Sequence, residues 1–157
     1  MVRHPRLLWA GAVLVVLGTW VAFAVVRDPP PVDLTGIAHP RNPSVEAACR
    51  RFATALPDDL GGLDRRRSTS GTPLGYAAYG DPEIVIRCGV PVFTRYQPGD
   101  ELIVINGVQW DIDELDGGGL RCSLPRALVN VEVSIPGRYK AERLALLTDA
   151  VKQAQPL

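Results

Sequence analysis

One uncharged apolar segment near the N-terminus constrains this chain more than any other feature of its sequence. Of the 20 residues in Leu7–Val26, 17 are apolar and none is charged. A helix of that length would be about 30 Å long, which matches the hydrocarbon core of a bilayer. The segment therefore predicts a transmembrane helix, or signal anchor, that contacts the lipid bilayer.

The flanking residues give this segment an orientation and leave one alternative open. Arg3 and Arg6 precede it. Because positive charge favours the cytoplasmic side, residues 1–6 are predicted to lie inside the cell and the C-terminal domain outside. The alternative is a cleaved signal peptide, since Ala22-Phe23-Ala24 matches an A-x-A cleavage site. Cleavage near Ala24 would release a secreted protein.

The rest of the chain divides into a linker and a folded domain. Five of the 17 residues in Arg27–Pro43 are prolines, which predicts an extended, semi-rigid spacer. The domain is predicted to occupy residues 44–157. From residue 27 onward there are 15 basic and 17 acidic residues. The absence of a basic excess argues against nucleic-acid binding.

Hydrophobic periodicity predicts a helix at each end of the domain. Apolar residues recur at helical spacing in the first of them, at Val45, Ala48, Cys49, Phe52 and Leu56. Asn42 or Ser44 would cap this helix, and Pro57 would end it. The segment Tyr139–Lys152 is predicted to form the C-terminal helix, because its apolar residues also fall on one face.

Short β-branched and alternating segments between the helices predict strands. The predicted strands are Tyr76–Tyr79, Ile84–Cys88, Leu102–Ile105, Val108–Ile112 and Ala127–Ile135. Asn106-Gly107 predicts a type I′ hairpin turn, because both central positions of that turn need positive φ. An acidic, glycine-rich loop is predicted over Asp113–Gly119. Two helices packed on one face of a small, mostly antiparallel sheet give an α+β fold.

The domain lacks the side chains that several enzyme classes use. The histidines are His4 and His39, which both precede residues 44–157. The domain therefore cannot carry Ser-His-Asp, Cys-His or histidine general-base catalysis. The sequence has no G-x-S-x-G, H-E-x-x-H or Walker motif, and its acidic loop does not fit an EF-hand. We therefore expect a non-enzymatic protein without a cofactor or a metal ion.

Two groups of charged residues support alternative hypotheses. Asp81 and Glu83, with the acidic residues that begin at Asp111, could supply a carboxylate pair for hydrolysis of a cell-wall glycan. Arg65, Arg66 and Arg67 are consecutive and could bind an anionic wall polymer or lipid headgroups. Ordinary solvated surface charge would account for either group.

A set of short stretches matches the pattern of a known family. The stretches are Cys49, Leu56-Pro57, Arg65-Arg66, Tyr79-Gly80-Asp81-Pro82, Ile84–Val90, Gly107-Val108-Gln109-Trp110 and Ile135-Pro136. With the N-terminal apolar segment, they resemble the domain-of-unknown-function 3515 family (DUF3515) of bacterial envelope proteins. Arg-Cys-Gly-Val, preceded by Gly-Asp-Pro, is the most specific part. Because the family is uncharacterised, the resemblance implies a location and an architecture but no catalytic residues.

The three cysteines leave several states open. Cys49, Cys88 and Cys122 allow three disulfide pairings with one thiol left over, or three buried free thiols. A bond between Cys49 and Cys88 would join the first helix to the end of a strand, and the resemblance also implies this pair. An oxidising compartment favours disulfides. Cys122 would then be free or would take part in an intermolecular disulfide.

These features predict a membrane-tethered, extracytoplasmic protein of the cell envelope that works by binding or scaffolding. The anchor, the spacer and the histidine-free domain support this hypothesis. Its partner would be another envelope protein or a wall polymer.

Overall fold

The computed structural model describes residues 29–34, 42–69, 73–91, 96–97 and 99–155. The predicted transmembrane segment Leu7–Val26 lies outside these residues. By its contacts the chain divides into two units, Met1–Pro30 and Pro31–Leu157, and the second contains every element described below. Within the described residues, no helix has both the length and the apolar composition needed to cross a bilayer.

The first helix forms where the sequence predicts it. Helix α1 spans Pro43–Ala55, with Asn42 as its N-cap. The Oδ1 atom of Asn42 accepts a hydrogen bond from the backbone N–H of Ser44 at 3.0 Å. Pro43 is suited to the first turn because its missing N–H would have no partner inside the helix. Leu56 has an extended backbone and ends the helix before Pro57.

Within these described ranges, six strands form one sheet, and every pairing between them is antiparallel. The strands are β1 (Tyr76–Tyr79), β2 (Ile84–Cys88), β3 (Ile103–Ile105), β4 (Val108–Glu114), β5 (Leu120–Ser123) and β6 (Val131–Ile135). Their spatial order is β1-β2-β6-β5-β4-β3. The predicted α+β class is confirmed. The predicted hairpin between β3 and β4 is also confirmed, with φ of 49° at Asn106 and 81° at Gly107.

Strand β5 was not predicted, and the acidic loop before it is shorter than expected. Strand β4 continues to Glu114, and β5 begins at Leu120. The loop predicted over Asp113–Gly119 is therefore reduced to a hairpin turn at residues 115–119. Gly117 and Gly118 turn the chain with φ of 84° and 77°. Four residues with only two apolar positions carry too little local pattern to predict a strand. Pairing with β4 and β6 on its two sides is what makes this segment β-structure.

The last strand begins later than predicted. The alternating segment Ala127–Ile135 is a strand only over Val131–Ile135. The buried side chain of Asn130 accepts a hydrogen bond from the Leu124 N–H at 3.0 Å and donates one to the Val90 carbonyl at 3.1 Å. These bonds fix the connection from β5 to β6 as a turn, because β6 must run back antiparallel beside β5.

The C-terminal helix, predicted over Tyr139–Lys152, is divided into two parts. Residues Ala141–Leu147 form a 3₁₀ helix, and Thr148–Ala154 form the α-helix named α2. The buried residues Leu144 and Leu147 are three positions apart, a spacing that fits both the 3.0-residue and the 3.6-residue period. Hydrophobic spacing alone therefore could not distinguish the two helix types.

The core lies between one face of the sheet and the two α-helices. Helix residues in this core are Ala48, Cys49, Phe52, Ala150, Val151 and Ala154, and the largest buried strand side chain is Trp110. A disulfide between Cys49 and Cys88 joins α1 to β2, as the resemblance implied. Gly75 lies against this bond with φ of 78°, and a Cβ atom there would be 2.8 Å from the Cβ of Cys88.

The opposite face of the sheet, which we call the outer face, carries a smaller apolar cluster at its β1 end. There Tyr76 and Ala78 are buried beneath Leu34. Val32 forms a parallel bridge with Ser68, which keeps this segment beside the sheet. Part of the predicted Pro-rich spacer therefore contributes a buried side chain to the domain.

Candidate functional site

A row of polar side chains crosses the outer face of the sheet. Arg87 of β2 is paired in register with Glu132 of β6, and Ser123 of β5 is paired with Asp111 of β4. Because Cys122 is paired with Val133, the next position places Ser123 beside Glu132. We call Arg87, Glu132, Ser123 and Asp111 the outer row.

An ion pair lies at one end of the outer row. The Nη1 atom of Arg87 donates to Oε1 of Glu132 at 2.9 Å. The Glu132 side chain is only 3% exposed, whereas that of Arg87 is 32% exposed. A carboxylate removed from water in this way is stabilised only if a cation and hydrogen bonds compensate for its lost hydration. Arg87 therefore compensates for the burial of the Glu132 carboxyl group.

Several polar atoms of the outer row have unused hydrogen-bonding capacity. Within the part of the chain that the structure describes, Arg87 Nε, Ser123 Oγ and Asp111 Oδ2 are buried without a partner. Each such atom costs about 1–3 kcal/mol, and native proteins contain few of them. The outer row thus contains, in buried positions, one donor, one acceptor and one hydroxyl group that can do both.

Neighbouring side chains extend this polar surface. Arg121 of β5 is paired with Ser134 of β6 on one side and with Asp113 of β4 on the other. All three side chains are half-buried, and they lie one step along the outer face from the outer row. At the Arg87 end of the outer row, Tyr76 of β1 is paired with Arg87. Burial raises the pKa of Tyr76, so its phenol stays neutral there.

The outer row could not be predicted from the sequence, because its members come together only in the tertiary structure. In the alternating sequence of β6, Glu132 falls on the face opposite the apolar residues, yet the structure buries it. Its partner Arg87 is 45 positions away in the chain. The signal available in the sequence was the set of polar residues that alternate with apolar ones in β2 and β6. The strand order was also needed, because it shows that the polar residues of these two strands lie side by side.

The three arginines predicted to bind anions do not form one cluster. They lie in an extended segment beside β1, where Arg65 forms an antiparallel bridge with Tyr79. The Nη1 atom of Arg66 donates to the Gly80 carbonyl at 2.5 Å. Because successive side chains in an extended segment point to opposite sides, Arg66 does not share a side with Arg65 and Arg67. Anion binding by this segment stays a prediction.

The carboxylates of the hydrolase hypothesis are also far apart. Asp81 and Glu83 lie in the turn before β2, whereas Asp111 lies in β4. Strands β6 and β5 stand between, which separates β2 from β4 by about 14 Å. Paired glycosidase carboxyl groups are about 5–10 Å apart. Among the residues described, no group of His, Cys, Asp or Glu side chains could hold a metal ion.

The family comparison identifies the chain. A family model described as "Protein of unknown function (DUF3515)" matches residues 9–157. This chain belongs to the DUF3515 family. No curated protein and no solved structure gives a significant match to it. The match to DUF3515 therefore confirms the predicted family and assigns no functional residues, so the function has to be argued from the domain itself.

The third cysteine of this DUF3515 protein is buried. Cys122 is free and faces the core beside the helices. Burial, and to a smaller extent the charges of Asp111 and Asp113, raise the pKa of its thiol to about 12. An intermolecular disulfide would require this thiol to leave the core, so the structure gives that hypothesis no support.

We expect Cys122 to resist alkylation in the folded protein. A rise in pKa from 9.0 to about 12 lowers the thiolate fraction near pH 8 about a thousandfold, and burial slows access further. Mass spectrometry after iodoacetamide treatment without a reductant should find no label in native protein and one label in urea. Rapid labelling of the native protein at Cys122 would contradict the buried position.

Proposed function

We propose that this protein is a membrane-tethered, extracytoplasmic binding module of the cell envelope. Leu7–Val26 would anchor it, with residues 1–6 inside the cell and the domain outside. The apolar, uncharged composition of that segment supports the anchor. The disulfide between Cys49 and Cys88 supports the location, because disulfides persist in oxidising compartments and are rare in the cytosol.

The observation that carries the binding role is the group of half-buried charged side chains on the outer face, among them Arg87 and Asp111. Both α-helices pack on the other face of the sheet, so neither of them covers these half-buried side chains. With Arg121 and Asp113, the outer face combines two arginines with three carboxylates. Such a nearly balanced mixture of donors and acceptors favours a ligand that also carries both.

A hydroxyl-rich wall glycan fits this surface better than a strongly anionic polymer. Each sugar hydroxyl can donate to a carboxylate such as Asp111 and accept from a guanidinium such as Arg121. A polyanion would be repelled by Asp111, Asp113 and Glu132. The ion pair with the buried Glu132 side chain restricts the orientation of the Arg87 guanidinium. Arg87 would therefore already have a fixed orientation when the glycan binds.

The test is a binding assay with isolated wall polysaccharide and the full chain in an uncharged detergent. The variants Asp111→Asn and Arg121→Gln keep side-chain size while removing charge from half-buried positions. We expect each to weaken binding about tenfold, the effect of losing a charge-assisted hydrogen bond. Asp149→Asn, an exposed carboxylate on α2, is the matched control and should bind like the wild type.

Equal binding by the wild type and the double variant Asp111→Asn/Arg121→Gln would overturn the assignment of this surface. Binding that is lost equally in the Asp149→Asn control would point to general charge instead of the outer face.

A further inference from the structure

An open groove lies at the end of the sheet where β6 begins, beside the face on which the helices pack. It has a volume of about 370 Å³ and runs between the β3–β4 hairpin, the turn before β6 and helix α2. That volume is within the range of small-molecule sites. The lining residues used below are Leu124, Arg126, Ala127, Leu128, Val151 and Lys152.

The wall of the groove is held in place by a side chain of the last helical turn. Gln155 Nε2 donates to the Val129 carbonyl at 3.1 Å, and the Val129 N–H donates to Gln155 Oε1 at 3.4 Å. The side-chain amide of Gln155 thus bonds to both backbone polar groups of Val129, as a neighbouring strand would. These two bonds attach the end of α2 to the turn before β6. Leu124 and Val151 are buried, so the groove has an apolar floor that exists without a ligand.

The charged side chains that line the groove, among the described residues, are basic. Arg126 and Lys152 are both exposed, and none of the described lining residues is acidic. The Nε atom of Arg126 donates to the Tyr96 hydroxyl at 2.7 Å, and its guanidinium lies 5.5 Å from the centre of that ring. These contacts orient the guanidinium and leave its other N–H groups for a bound anion.

An exposed leucine is next to these cations. Leu128 is 79% exposed, although it belongs to the lining of a groove whose floor is apolar. A ligand with a negative group alone would satisfy Arg126 and Lys152 but would leave Leu128 in water. Apolar side chains beside basic ones are typical of surfaces that bind anionic amphiphiles at a membrane interface.

We propose that this groove binds a phospholipid with an anionic headgroup. Arg126 and Lys152 would contact the phosphate, while Leu124, Leu128 and Val151 would cover the first methylene groups of an acyl chain. The inference rests on the proposed membrane tether, which would keep the domain close to lipid. It adds a ligand class and a site that the glycan-binding surface does not include.

The test uses the full chain in micelles of an uncharged detergent and follows backbone amide shifts by NMR. Short-chain phosphatidylglycerol is titrated in one arm, short-chain phosphatidylcholine in a second, and glycerol phosphate in a third. We expect saturable shifts at Leu128, Val151 and Lys152 with phosphatidylglycerol only. The variant Arg126→Gln/Lys152→Gln should weaken this binding about thirtyfold, since each basic residue contributes about fivefold near an anionic lipid.

The matched control is Arg138→Gln/Lys140→Gln, which removes the same two residue types beyond the opposite end of β6. It should bind within about twofold of the wild type. Leu128→Ser should weaken binding of phosphatidylglycerol about tenfold, because the acyl chain loses part of its apolar contact.

Three results would overturn the proposal: equal weakening in the groove variant and the control, equally tight binding of glycerol phosphate, or shifts that fall outside the groove. Because the lipid is supplied in solution, a chain that failed to insert in a membrane would still give a result. The variant Asp111→Asn/Arg121→Gln should keep its lipid affinity, so failure of glycan binding is observed separately.

Discussion

Replacing Cys49 and Cys88 together by alanine should lower the free energy of unfolding by about 4 kcal/mol, the loop-entropy estimate for a bond of this span. The two cysteines are 39 positions apart, and their bond joins α1 to β2 across the core. Domains of this kind have a total stability of about 5–15 kcal/mol. The loss should therefore be visible as a large fall in the urea midpoint.

The control for this experiment is chemical reduction of the wild type. Dithiothreitol should lower the urea midpoint of the wild type to that of the Cys49→Ala/Cys88→Ala variant and should not affect the variant itself. Cys122→Ala keeps the disulfide and should keep its sensitivity to the reductant. A wild-type midpoint that does not respond to reduction would show that the bond contributes little to stability.

Removing one member of the Arg87–Glu132 ion pair is expected to have the second large effect. Arg87→Met should cost about 3 kcal/mol, because it leaves a nearly inaccessible carboxylate without a cation. Glu132→Leu should cost less, since the guanidinium of Arg87 is one-third exposed and can be hydrated. The double variant Arg87→Met/Glu132→Leu should lie within about 1 kcal/mol of the wild type, as apolar replacements of buried pairs often do.

Denaturant unfolding of the four proteins gives the coupling energy, which we expect to be about 2 kcal/mol. Val85 and Ser134 form the matched control, because they are neighbours on the same two strands of the same face. Their alanine variants should show a coupling of no more than about 1 kcal/mol, since no ion pair joins these two side chains. Additive losses at Arg87 and Glu132 would mean that the buried carboxylate is stabilised by something other than this arginine.

Elements with strong local signals were predictable from the sequence. Helix α1 has an apolar stripe, an N-cap at Asn42 and a stop at Pro57, and each of these signals acts on residues close to it in the chain. The Asn106-Gly107 turn was predictable because few residues adopt positive φ without strain. Strand β5 has no comparable signal, because its conformation depends on neighbours that are distant in the chain.

The outer row illustrates the same limit for a functional surface. Glu132 and Asp111 are recognisable in the sequence as acidic residues. Their local patterns do not reveal that the sheet places them in one row with Arg87 and Ser123. The proposed lipid groove depends on an even longer connection, since Gln155 of the last helical turn holds the wall that contains Val129. Neither surface has a motif that could be read along the chain.

Sequence alone determined that the chain has one strongly apolar segment, Leu7–Val26, and a histidine-free domain with a helix, several strands and a second helix. Those properties follow from composition and from periodicity within about ten residues. Only the tertiary structure decided the strand order, the burial of Glu132 and Cys122, and the position of the basic groove. The physical reason is that burial and pairing depend on which distant segments meet, and many arrangements are compatible with the same local patterns.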